Sequence, residues 1–349
     1  MENITKLNLD LIKNEIKKVR DFSPRIHMIP NIVTANFCAD ALSAIGAKPI
    51  MAMYDGEFGE VISQADGFVA NLGQPDINKI KSVKKGIEIA RGSDVPIVID
   101  PVGCAATTFR REMLEEILNI DFDGIIKGNY SEIIGVISDE RFKTGVDSHL
   151  SSDTFERKLE KILQKSITKE ANVKNVNTIK EENASESVNT IKTENAFKGV
   201  NTIKIKSVSE SEAGEIDIKE ELSKRVYVAT GVSDYIFEQA RCETNCNNTN
   251  VFKENMENVK CDIISVYPDN YVVDSGSKSN NKAVLPWNVT GTGCMFGALL
   301  GVMYAVNPNE PQKAAVVTSM LMKYLLMNAD GTKGYATYKN NILDMLSLL

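Results

Sequence analysis

Apolar residues recur three or four apart through residues 7–22, where Leu9, Ile12, Ile16 and Val19 are separated by lysines. That spacing predicts an amphipathic helix with one packed face. Downstream the pattern changes to short apolar runs at residues 49–53, 67–72, 96–100, 124–127, 226–230 and 262–266, with helical stretches between them. Strands buried on both faces and alternating with helices predict a layered α/β fold around a mostly parallel sheet. Such sheets bind ligands beyond the carboxyl ends of their strands. Three of the runs end in polar or glycine motifs, namely Asp100-Pro101-Val102-Gly103, Lys127-Gly128-Asn129 and Thr230-Gly231.

The pattern breaks between about residues 166 and 223, where Asn, Lys, Glu, Ser and Thr dominate. Val176-Asn177-Thr178-Ile179-Lys180 recurs there at Val188 and Val200, a period of twelve residues. Copies this polar bury too little surface to offset the entropy of ordering them, so a largely disordered low-complexity insert is expected. A single domain spanning residues 1–349 and interrupted by this insert is the expected organisation. Residues 238–260 form a second, shorter polar stretch.

The richest chemistry lies in Val289-Thr290-Gly291-Thr292-Gly293-Cys294, which precedes an apolar stretch from Met295 to Val306. This reads as a glycine-rich turn opening a buried helix. First-turn amides have no intrahelical acceptors, and Gly291 and Gly293 let the backbone approach a ligand, so the turn suits an anion. Cys294 at the positive end of the helix would be pushed toward thiolate. A glycine turn carrying an inert, buried cysteine fits the same six residues.

Asp100 closes an apolar run immediately before a proline, and Glu132 follows the Lys127-Gly128-Asn129-Tyr130-Ser131 turn. Mg²⁺ carrying nucleotide phosphates needs one or two carboxylates, and Lys127 offers a compact charge for a phosphate oxygen. The plainer readings are a turn aspartate, a helix first-turn acid and an exposed lysine. Together with the glycine turn, however, these residues supply the parts that phosphoryl transfer requires. Asn31 and Asn36 could bind a small heteroatom-bearing substrate and Met51 an aromatic ring, or the asparagines could simply cap a helix and Met51 fill the core.

Composition narrows the class. The chain has 349 residues, 43% of them apolar, which is enough for a substantial core. A net charge of −7 without a basic stripe argues against a nucleic-acid surface. No apolar run reaches membrane-spanning length. Six cysteines without a disulfide-like spacing and no signal peptide at the start predict the cytoplasm. Cys242 and Cys246 make a poor zinc site, because the only histidines, His27 and His149, lie far off in sequence.

The chain resembles the hydroxyethylthiazole kinase family of the ribokinase-like superfamily. The resemblance rests on residues 27–52 (HMIPNIVTANFCADALSAIGAKPIMA), Asn71-Leu72-Gly73, residues 96–103 (PIVIDPVG) with Phe109-Arg110, and residues 127–133 (KGNYSEI). Gly145-Val146-Asp147-Ser148, Thr230-Gly231 with Asp234-Tyr235, and Val289 to Cys294 complete it in the family's order, omitting the polar insert. It implies a ribokinase-like three-layer fold and ATP-dependent phosphorylation of the hydroxyl of 4-methyl-5-(2-hydroxyethyl)thiazole, with Mg²⁺. It also implies that Met51 and Gly291 contact the thiazole and that Lys127 and Thr230 contact ATP, with Asn31 the further substrate-binding candidate read from the residues themselves. Asp100 and Glu132 would lie around magnesium, and Cys294 beside the substrate hydroxyl as the catalytic group. Family members form trimers with the thiazole site between subunits. The chain departs from the family in carrying Lys127 for its usual arginine, Asp40 for Asn, Gln74 for Thr, and Cys104-Ala105 for Gly-Ala. The alternatives are another ribokinase-like kinase, of the hydroxymethylpyrimidine type, and a non-catalytic thiazole or nucleotide sensor.

Overall fold

The computed structural model describes residues 3–5, 9–138, 150–159, 162, 225–231, 233–238, 264–266 and 288–349. The VNTIK insert, the Gly145-to-Ser148 motif, His149 and the Cys242/Cys246/Cys261 region lie outside the described residues. Strands β1 (Asn3–Thr5), β2 (Arg25–Ile29), β3 (Lys48–Ile50), β4 (Gly67–Asn71), β5 (Ile97–Asp100), β6 (Gly124–Asn129), β7 (Arg225–Thr230), β8 (Asp234–Glu238) and β9 (Ile264–Val266) form one sheet. Its order is β1-β9-β8-β7-β6-β5-β4-β2-β3. Pairing is parallel except where β8 runs against β7 and β9. The mostly parallel α/β sheet expected from the apolar runs is present.

Helices cover both faces. On one side lie α1 (Leu9–Phe22), α2 (Ala35–Ile45), α8 (Thr292–Ala305), α9 (Pro311–Asn328) and α10 (Tyr335–Leu348). On the other lie α3 (Phe58–Val61), α4 (Ile77–Gly92), α5 (Thr108–Leu118), α6 (Tyr130–Ile137) and α7 at residues 152–159. Successive strand residues point to opposite faces, and the two hydrophobic clusters follow that period. Val69, Val98, Ile125 and Val228 pack under α8 and its neighbours, whereas Ala70, Ile99, Ile126 and Ala229 pack under α4 to α7. The next residue along each strand returns to the α8 side. Those residues are Asn71, Asp100, Lys127 and Thr230, so strand periodicity alone brings four polar side chains to one face at the carboxyl end of the sheet.

The helix expected at residues 7–22 is α1, which buries Ile12, Ile16 and Val19. Three strands, β1, β2 and β8, escape the sequence pattern. In β2, Arg25 and His27 interrupt the apolar run, yet His27 is buried, with its ring against Phe58 and Phe68 and its Nε2 bonded to the carbonyl of Ala52. In β8, Asp234 is buried because Lys323 of α9 pairs with it at 3.0 Å.

Candidate active site

The glycine turn wraps the start of α8 against α2. Gly291 caps the helix in the left-handed region (φ 99°), and a Cβ there would lie 2.8 Å from Thr34 Cγ2 and 3.3 Å from Phe37 Cδ1. Both backbone angle and space therefore require glycine. Gly291→Ala is expected to destabilise the fold by about 1–3 kcal/mol, the cost of a left-handed alanine plus a displaced Thr34. A denaturant midpoint unchanged from that of the parent protein would contradict this reading of the turn.

Cys294 enters from this turn, buried, in the first turn of α8. Asn71 Nδ2 donates to its sulfur at 3.3 Å and to Asp100 Oδ2 at 2.7 Å. The register of β4 and β5 sets this up by pairing Asn71 with Asp100. Asp100 Oδ1 is buried without a hydrogen bond and lies 3.5 Å from Lys127 Nζ. Lys127 in turn donates to the carbonyl of Gly293 at 3.0 Å. A chain of contacts thus links Cys294, Asn71, Asp100, Lys127 and the α8 turn.

Burial sets the electrostatics. It pushes the Cys294 thiol above its ordinary value, and the Asp100 charge adds to that, against the pull of Thr34, Lys127 and Asn71. The expected thiolate is therefore not the resting state: the helix terminus does not overcome desolvation beside a carboxylate. Burial alone would lower the Lys127 ammonium, but Asp100, Glu132 and Cys294 lift it above the usual lysine range. Lys127 is a buried cation rather than an exposed one.

Glu132 is buried at the start of α6. Its Oε1 accepts from the amide of Gly103 and its Oε2 from the amide of Asn129, each at 2.7 Å, while the Asn129 side chain accepts from the Glu132 amide. This is a capping box extended to a second loop. Burial and the Asp100 charge push the carboxyl up to about 7. Both oxygens already hold backbone, so Glu132 could meet a cation only through its remaining lone pairs or an intervening water.

The other expected residues flank this chain. Thr230 ends β7 beside Asn129 of β6, and its hydroxyl donates to the carbonyl of Gly128 at 3.2 Å. Asn31 follows β2 and is half-buried, with its Oδ1 accepting from the amide of Val33 and its amide nitrogen close above Gly73. Asn36 is exposed and donates to Asp40 at 3.4 Å. Met51 lies just past β3, separated from β4 by β2, half-buried against the α8-side core. Across the sheet edge the order is Thr230 (β7), Lys127 (β6), Asp100 (β5), Asn71 with Cys294 (β4 and α8), Asn31 (β2) and Met51 (β3).

Two contributors were not singled out from the sequence as site residues, Asn71 and Lys79. Lys79, in a lysine-rich stretch with Lys81, Lys84 and Lys85, is 5% exposed. Its ammonium donates to the carbonyls of Pro30 (2.8 Å) and Gly73 (2.6 Å), tying the loops after β2 and β4 together. Burial pulls it down from an ordinary 10.5 to about 8, against Asp76, Cys294 and Asp100 and helped by Arg110. Between those two values the unfolded chain holds the proton that the native state has released, so the native state gains stability as pH rises through that window. Lys79→Met should cost about 2 kcal/mol through two buried carbonyls left without this donor. The gap between parent and variant in urea unfolding should widen from neutral pH to mildly alkaline pH, and a gap that narrowed would refute the assignment.

Parts of the chain match known proteins. Residues 16–171 match the model of the hydroxyethylthiazole kinase family. The hydroxyethylthiazole kinase of Pyrococcus horikoshii is 41% identical over 140 residues, 40% of this chain and 52% of that protein. That of Listeria monocytogenes serotype 4a is 38% identical over 138 residues, 39% of this chain and 51% of that protein. In these alignments the chain spans about half the length of the relatives it matches. The solved structure of the Pyrococcus horikoshii hydroxyethylthiazole kinase superposes with a TM-score of 0.54 at 24% identity, covering 97% of this chain and 94% of that one. That likeness shows the fold, a mostly parallel α/β sheet flanked by helices.

Proposed function

We propose that the chain is an ATP-dependent hydroxyethylthiazole kinase that phosphorylates the hydroxyl of 4-methyl-5-(2-hydroxyethyl)thiazole in thiamine biosynthesis. The order of groups along the sheet edge carries this reading. Thr230 and Lys127 stand at the end suited to a nucleotide, Asp100 in the middle, Cys294 next, and Asn31 and Met51 at the end suited to a small acceptor. A phosphoryl group passing from one end to the other would cross the buried Asp100 and Cys294 in turn.

The residues fit Mg²⁺. Asp100 Oδ1 is a buried carboxylate oxygen without a hydrogen bond, the kind of hard oxygen donor such an ion takes, with Glu132 nearby for a contact through water. When bound, Mg²⁺ would offset charge on the phosphates. Lys127 would balance the transferring group, the amides at the start of α8 would receive its oxygens, and Cys294 would orient the alcohol or accept its proton. Phosphoryl transfer depends mostly on such positioning, which suits a site built from fixed dipoles rather than a strong base.

The finer expectations belong to the same proposal. Among the described residues no helix is long and apolar enough to cross a membrane, and a cytoplasmic enzyme without nucleic-acid or membrane partners remains the reading. Ile32 and Tyr54 stand 67% and 74% exposed on the loops after β2 and β3, and Ile77 stands 78% exposed after β4. Exposed apolar side chains fit an interface between copies of the chain, and a homotrimer in which a neighbouring subunit completes the thiazole site is part of this proposal.

ADP release from MgATP, measured with a panel of thiazole and pyrimidine alcohols, tests the proposal. Turnover with the thiazole alcohol is expected. Turnover with a pyrimidine alcohol alone would move the chain to the other kinase type, and thiazole binding without turnover would make it a sensor.

A further inference from the structure

Asn71 is fully buried, and each of its polar atoms is used. Its Oδ1 accepts from the amide of Gly73 at 2.9 Å. That bond fixes which end of the carboxamide is nitrogen, because the flipped form would set an oxygen against the Asp100 carboxylate. The two hydrogens of Nδ2 are then committed, one toward Asp100 Oδ2 at 2.7 Å and one toward Cys294 Sγ at 3.3 Å. The loop is shaped around this arrangement. A Cβ at residue 73 would lie 2.9 Å from Asn71 Oδ1 and 2.5 Å from Asn31 Nδ2.

Two consequences follow for the reacting groups. Sulfur that accepts from Asn71, and is pulled the same way by Thr34, must turn its own hydrogen elsewhere. Asp100 has one oxygen held by Asn71, and the other, Oδ1, faces the Lys127 ammonium at 3.5 Å. We infer that Asn71 is the positioning residue of the site: one carboxamide orients the Cys294 sulfur and sorts the two oxygens of Asp100 into one that it holds and one that faces Lys127. The inference rests on the kinase reading above.

The test uses Asn71→Ser, which keeps polarity but cannot serve both acceptors, with Asn71→Asp, which keeps the shape and the bond from Gly73 while removing the donor. Two measurements run in parallel. The first is steady-state phosphorylation of the thiazole alcohol, in the parent and in a Cys294→Ala background. The second is peptide-resolved iodoacetamide labelling of Cys294, with the buried Cys104 as the internal control for a loosened fold.

In both variants kcat should fall at least about twentyfold while KM for the alcohol stays within about threefold. In the Cys294→Ala background, Asn71→Ser should cost less than about threefold more, since residues that act through one another are not additive. Labelling of Cys294 should slow at least about threefold while that of Cys104 is unchanged, because an N–H donor to sulfur favours the reactive thiolate. Undiminished Cys294 labelling, accelerated labelling of both cysteines, or fully multiplicative kinetic losses would each overturn the inference. If the parent turns over no alcohol, the kinase reading fails by itself and the labelling result still decides the role of Asn71.

Discussion

Asp100→Asn is expected to lower kcat for phosphoryl transfer by about 10³, the scale seen when a preorganised charge-stabilising group is removed. The substitution preserves shape, and an asparagine oxygen could still accept from Asn71. What it removes is the negative charge, and two things depend on that charge. A hard cation would lose its best-placed oxygen donor, Asp100 Oδ1. Lys127, 3% exposed, would keep the carbonyl of Gly293 but lose its paired anion. Breaking a buried pair by removing one partner typically costs about 3–5 kcal/mol, so a fall in melting temperature should accompany the kinetic loss. Repeating the assay at saturating Mg²⁺ separates the two effects. If excess metal restored kcat, Asp100 would serve metal affinity alone; near-parental kcat at ordinary metal concentration would remove Asp100 from the mechanism.

The place of Asp100 was legible because its chemistry is local: an apolar run buried on both faces ends at a carboxylate, and Pro101 stops the strand. Lys127, Thr230 and the α8 turn were legible for the same reason, since each sits where a periodic segment meets glycine or a polar residue. The central chain of contacts was not. Asn71 and Cys294 are 223 positions apart, and their meeting depends on the pleat of β4 and on α8 crossing the sheet, neither of which has a local signature. Lys79 was hidden by its charge: it shares the buried stripe of α4 with Val83, Ile87 and Ala90, a stripe on which a lysine is not expected. Strand β2 was hidden by His27, whose burial depends on Phe58 and Phe68 closing around it. Strand β8 was hidden by a paired charge, Asp234, which sequence pattern scores as surface. The expected thiolate failed for another reason: the helix terminus was visible in the sequence, whereas the carboxylate beside it and the loss of water around it belong to the folded state.

That last difference reshapes the prediction for Cys294. Cys294→Ala should lower kcat about 100-fold, the lower end of what a positioned proton acceptor contributes, with KM for the alcohol nearly unchanged and measurable activity remaining. The residual activity follows from Lys127, Asp100 and the α8 amides, all of which alanine leaves in place. Because the resting sulfur is held as a neutral thiol, its contribution divides into orienting the alcohol and accepting its proton, and Cys294→Ser distinguishes them. A serine hydroxyl can still accept from Asn71 and point a lone pair at the alcohol, but it is far harder to ionise than a thiol. If orientation dominates, serine should recover most of what alanine loses. If proton acceptance dominates, serine should be as slow as alanine, and the thiol must then ionise once bound cations offset the Asp100 charge that opposes it. Full turnover by Cys294→Ala would exclude both roles and return the turn to the simpler description of a glycine loop beside an inert buried cysteine.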